Sequence, residues 1–178
     1  MTVIHENYLE YQPPGYTRST IAELLSNLPK QYLTGIQSVV LTNSAAIPRG
    51  KTRRIQGKKH VQRSCLGFYH PKWKGEPAWI ELVVDNIVTA HFKSGATGLL
   101  MLIPIVRNLA FATTLFHEVG HQLDHTTGAS GRNGEAAADA WNTKLMVSYF
   151  RKHYWYLMPF VRIVKALSTN ISQPPSTL

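Results

Sequence analysis

A single α+β domain is the fold that this sequence predicts, and three observations carry the prediction. Residues 19–28 and 107–125 hold apolar side chains at helical spacing. Between them, 35–43, 65–71 and 77–88 are short runs rich in β-branched and aromatic residues, bounded by glycine, proline or asparagine. At 178 residues and 44% hydrophobic content, the chain is the size of one domain with a substantial core, and no internal repeat or low-complexity block divides it.

The elements follow in order. Residues 1–16 read as a loose tail, because "QPPGY" is rich in turn formers. In "STIAELLSNL" (19–28), Ile21, Leu24, Leu25 and Leu28 share one helical face, Ser19 or Thr20 can cap the start, and Pro29 ends it. "GIQSVVLTN" (35–43) reads as a strand. "CLGFYHP" (65–71) and "PAWIELVVDNIV" (77–88) read as two strands of a hairpin joined by "KWKGE", with Ile80, Leu82 and Val84 on one face and Glu81 and Asp85 on the other. In 107–125, Phe111, Leu115, Val119 and Leu123 recur every four residues as on an amphipathic helix. "TTGASGRNG" (126–134) breaks it with three glycines. A second helix is expected over 133–154, with Asn133 as N-cap. An aromatic, basic segment kinked at Pro159 continues to about residue 167, and 168–178 reads as a second loose tail.

Composition narrows the function classes. The single cysteine, Cys65, cannot form an internal disulfide. The first residues show no basic region followed by an apolar one, and the most apolar run, "LLMLIPIV" (99–106), is too short to span a bilayer. A cytoplasmic protein without a transmembrane segment is expected. The formal net charge is +9, yet four of the ten acidic residues, Glu118, Asp124, Glu135 and Asp139, fall within 22 residues of one another, beside three of the eight histidines. A concentration of carboxylate and imidazole in a basic chain is what a cation site requires.

That concentration centres on "TLFHEVGHQLDH" (114–125). His117 and His121 stand four apart, so a helix places both imidazoles on one face, within reach of one ion. Zinc accepts imidazole and carboxylate ligands, and a catalytic zinc keeps one position for water. Glu118, beside the first histidine, is placed to take a proton from that water. The expected cofactor is therefore Zn2+, held by His117 and His121, with Glu118 as general base.

Three residues compete for the third ligand. His125 continues the spacing, but two steps of four residues carry it about 12 Å along the axis from His117. Asp124 has the same difficulty. Glu135 is better placed, because the glycine-rich break lets the chain reverse and return the next helix to the first. Asp139, one turn beyond Glu135, can accept the second N–H of a ligand histidine and fix its tautomer. The alanines of "EAAAD" let two helices approach closely.

His117-Glu118-x-x-His121 followed by Glu135-x-x-x-Asp139 resembles the gluzincins, zinc metallopeptidases of the thermolysin type. The small size and the hairpin before the histidine helix are similar to the single-domain minigluzincins and to the metallopeptidases that cleave immunity repressors. The resemblance covers residues 20 to 150, and its specific part is the two short motifs, which only 13 residues separate from His121 to Glu135, fewer than is usual in the family. It implies a minimal zincin-like domain, with a small mixed sheet packed on the histidine helix and the Glu135 helix following. It also implies Glu118 as general base and Asp139 as the group that orients His117. Such peptidases commonly hold substrate as an added strand on the sheet edge, which points to main-chain pairing within 78–87 through Trp79, Ile80 and Glu81. An oxyanion donor is implied as well. Tyr149 is the leading candidate by its downstream position, with His153 and Tyr154 beside it.

The basic run "PRGKTRRIQGKKHVQR" (48–63) holds seven Lys and Arg and no acid, and reads as a mobile loop that could meet an acidic partner or nucleic acid. The expected activity is hydrolysis of peptide bonds in a peptide or protein substrate. The alternative is a nucleic-acid-associated or regulatory protein with a non-proteolytic metal site. The C-terminal "FRKHYWYLMPFVRIVK" reads as a core-packing helix with a basic outer face, the alternative being a segment lying on a membrane surface.

Overall fold

The computed structural model describes residues 2–47, 54–55, 58–59, 64–90, 100–128 and 134–157. These form an α+β domain with a four-stranded mixed sheet. The strands are β1 (Val3–Asn7), β2 (Ile36–Thr42), β5 (Gly67–His70) and β6 (Ala78–Val83). The two-residue strands β3 (Arg54–Ile55) and β4 (Lys58–Lys59) form a separate antiparallel pair within the basic run. The rest of that run lies outside the described residues, as do Asn133 and the segment from 158 onward. The helices are α1 (Thr17–Asn27), α2 (Val84–Ala90), α3 (Pro104–Thr127) and α4 (Gly134–His153).

Sheet order is β1-β2-β6-β5, parallel from β1 through β2 to β6, then antiparallel to β5. Apolar side chains from α1, β2, β6 and α3, among them Ile21, Leu24, Val39, Leu41, Ile80, Leu82, Phe111 and Leu115, are fully buried in one core. Helix α3 is the central element, packing on β5, β6, α1 and α4. Pro104 opens it at a position where a missing N–H costs nothing, and Gly128 ends it in the left-handed conformation at φ 64°. No helix among the described residues is long and apolar enough to cross a membrane.

Three expectations need correction. The first residues are not a loose tail: Val3–Asn7 pair with β2 over Val3↔Ser38 to Asn7↔Thr42. Helix α1 starts at Thr17, too early for Ser19 or Thr20 to cap it; Ser19 instead donates its hydroxyl to the Tyr16 carbonyl. The last strand stops at Val83, and residues 84–90 turn into α2. Asp85 fixes that turn by accepting the Ser44 N–H at 2.9 Å as well as the Ser44 hydroxyl.

Candidate metal centre

Helices α3 and α4 run antiparallel and touch where both side chains are smallest. A Cβ on Gly120 would lie 2.6 Å from the Ala138 carbonyl oxygen, so only glycine admits the α4 backbone there. This contact sits inside the histidine motif, and it brings the first turn of α4 over His117 and His121.

His117, His121 and Glu135 form the one group among the described residues whose ligand atoms could together hold a metal ion, all within 4.8 Å of one another. Nε2 of His117 lies 3.4 Å from one Glu135 oxygen, and Nε2 of His121 lies 3.7 Å from the other. Nδ1 of His117 lies 3.0 Å from Asp139 Oδ1. An N–H placed at Nδ1 would donate to Asp139 and leave the Nε2 lone pair directed towards the Glu135 carboxylate. A cation can bridge two acceptors that face each other in this way. A tetrahedral ion with bonds of about 2.1 Å separates its ligands by about 3.4 Å, so the donor types and the spacing both fit zinc. Burial holds the His121 imidazole below its ordinary range, against the pull of Glu135, and His117 adds to the lowering; the neutral, ligating form is favoured.

Glu118 faces inward instead. It is buried, and it packs against β5 at Gly67, where an added Cβ would lie 3.0 Å from the carboxylate. The Tyr69 backbone N–H donates to that carboxylate, but desolvation dominates and pushes its pKa up to about 8. Helix and strand are also tied by side chains: the Tyr69 hydroxyl donates to Gln122 Oε1, and Gln122 Nε2 donates to the Thr34 carbonyl at 2.9 Å. Burial pushes the Tyr69 hydroxyl up to about 12, so it remains a donor.

No family model, no curated protein and no solved structure matches this chain. The residues themselves therefore carry the functional reading.

The other candidates fall elsewhere. His125 is exposed, with its ring 6.2 Å from that of Tyr69, and it stands outside the group of three. Tyr149 is buried; its hydroxyl lies 3.2 Å from Asn108 and 3.5 Å from Glu23. Asn108 precedes His117 by nine residues, roughly 13 Å along α3, so the structure does not bring Tyr149 to the metal group. Tyr154 joins the same Asn108 cluster at 3.3 Å, and His153 bonds to Asn27 at 2.9 Å.

The expected substrate edge also changes. Strand β6 is paired on both sides, to β2 and to β5, so Trp79, Ile80 and Glu81 have no free main-chain edge. Ile80 is core, Trp79 stacks on His70 at 3.6 Å, and Glu81 pairs with His70 at 2.9 Å. The edge beside the metal group is β5. The Val83 N–H bonds to the Leu66 carbonyl, and alternation along the ladder then turns the polar backbone groups of Gly67 and Tyr69 outward. Sequence reasoning passed over Gly67, Tyr69, Gln122 and Gly120. The signal available was Gly67 itself, since a glycine inside a strand often marks a close approach.

Proposed function

We propose that this protein is a zinc-dependent metallopeptidase of gluzincin type. One observation carries the reading: two imidazole nitrogens and a carboxylate converge from two helices within 4.8 Å, with Asp139 holding the far side of the first imidazole. When bound, zinc supplies a Lewis acid that polarises the scissile carbonyl and makes water acidic near neutral pH. Glu118 takes the proton of the attacking water and passes it to the leaving amine. Its position beside the first histidine, fixed by packing against β5, suits a group that must take up a proton and then release it. A peptide laid along β5 pairs with the outward backbone groups of Gly67 and with the Tyr69 carbonyl, the Tyr69 N–H being held by Glu118; this brings the peptide's own carbonyl past Glu118. Asp139 keeps His117 in the tautomer that leaves Nε2 free.

The test combines metal analysis with hydrolysis of a peptide library. Glu118→Gln is expected to keep stoichiometric zinc and to lose hydrolysis by a factor of about 10²–10⁴. Glu135→Ala is expected to lose the zinc itself. A Glu118→Gln protein as active as the wild type, or undiminished zinc in Glu135→Ala, would sink this reading.

A further inference from the structure

The far end of the α3–α4 hairpin carries a surface of another kind. Because the helices are antiparallel, the start of α3 and the end of α4 meet there, joined by the contact of Asn108 with the Tyr154 hydroxyl at 3.3 Å. Leu102 and Ile103, just before α3, are 63% and 44% exposed; Trp155 and Tyr156, just after Tyr154, are 70% and 53% exposed. The Trp155 and Tyr156 rings lie 6.3 Å apart, edge to face. Exposed Arg151 and Lys152 adjoin them. Glu23 also reaches this end, where Asn108 and Tyr149 engage it at 3.5 Å.

We propose that this end of the hairpin docks on an anionic lipid surface. Single exposed apolar residues are ordinary, but four at one end of a hairpin mark an interaction site. The cations of the last turn of α4 offset the negative helix end, which accounts for their position but not for the bare rings. Trp and Tyr flanked by Lys and Arg settle at the depth of lipid headgroups, and aliphatic tips such as Leu102 and Ile103 enter the acyl boundary. Those aliphatic tips offer a nucleic acid neither stacking nor hydrogen bonds, which favours lipid. The charge agrees: the chain has no Asp or Glu after Asp139 and a net charge of +9. His117 lies fourteen residues beyond Ile103, so docking leaves the metal group roughly 20 Å from the lipid, open to the aqueous side.

The test is sedimentation of the full chain with vesicles of phosphatidylcholine alone and of phosphatidylcholine with about 30% phosphatidylserine. Partition into the anionic vesicles is expected. Two double variants, Trp155→Ser with Tyr156→Ser and Leu102→Ser with Ile103→Ser, should each weaken it about tenfold at unchanged net charge. Unchanged circular dichroism in both confirms that folding is intact. The proposal is overturned if the wild type does not partition, or if both variants partition like the wild type, since net charge alone then drives binding. It is also overturned if a single-stranded oligonucleotide binds more tightly than the vesicles and loses binding in the same variants, because the surface then serves nucleic acid. None of these outcomes depends on peptidase activity.

Discussion

The two walls of the metal group hold their carboxylates by opposite means. On the inner wall, Glu118 is 6% exposed and is fixed by packing against β5. On the outer wall, the Glu135 and Asp139 side chains are 82% and 71% exposed, and ion pairs to the histidines orient them. A buried carboxylate gains position and loses ease of ionisation. Exposed carboxylates give up little hydration and depend on their helix being brought close. The inner wall therefore suits a proton carrier and the outer wall suits a ligand. The position of α4 becomes the weak point of the outer wall, and the seating of β5 that of the inner one.

The sharpest way to break the outer wall is to push α4 away. Alanine normally stabilises a helix over glycine by up to about 1 kcal/mol. At Gly120 the sign reverses, because the added Cβ meets the Ala138 backbone, which has no flexible end to yield. Gly120→Val is expected to cost about 3 kcal/mol in chemical denaturation and to weaken zinc binding together with stability. Gly134→Ala is the control: its Cβ has 3.7 Å to the nearest atom, Asp124 Oδ2, and should leave zinc binding unchanged and stability no lower.

The inner wall is read through pH. In the metal-free protein, the Glu118 pKa rises from 4.5 unfolded to about 8 folded, through burial first. Between those values the folded protein holds a proton that the unfolded chain has released. Stability from this group is thus fully present below 4.5 and declines as pH rises towards about 8. From about pH 6 to about pH 7.5 the loss should reach roughly 2 kcal/mol, and Glu118→Gln should flatten that slope in denaturant titrations. An equal slope in the variant would mean that some other group carries it.

Much of this was legible in local sequence, and the parts that were not are those set by distant partners. The helix over 107–125 and the strand over 35–43 have strong periods, and they match α3 and β2 to within a few residues. Strand β1 could not be read this way, because four of its five residues are more exposed than buried and its partner lies 35 residues on. The end of β6 is equally non-local: "VVDNIV" continues the apolar run, and it is Ser44, from another part of the chain, that fixes Asp85 and the turn into α2. Helical geometry and a glycine-rich break were enough to select Glu135, since both concern neighbouring elements. A position downstream of the motif was not enough to place Tyr149. Fourteen residues past Glu135, it returns to nearly the same face of α4, but roughly 21 Å further along the axis. Which strand forms the free edge is a property of the whole sheet, and no local pattern contains it.

The smallest expected effect refines the inner wall. Tyr69 serves β5 twice, with its N–H on Glu118 and its hydroxyl on Gln122. Tyr69→Phe removes only the second link and leaves Gln122 Oε1, on a buried side chain, without its donor. A loss of about 1–2 kcal/mol in unfolding free energy is expected. Zinc content should not change, because none of the outer-wall contacts involves Tyr69. If the clamp also seats the strand edge for Glu118, exchange of the Tyr69 amide proton should quicken in Tyr69→Phe, while amides in the first turn of α4 keep their rate. Equal quickening in both places would show that the two walls move as one unit, and the division between a packed wall and an ion-paired wall would have to be given up.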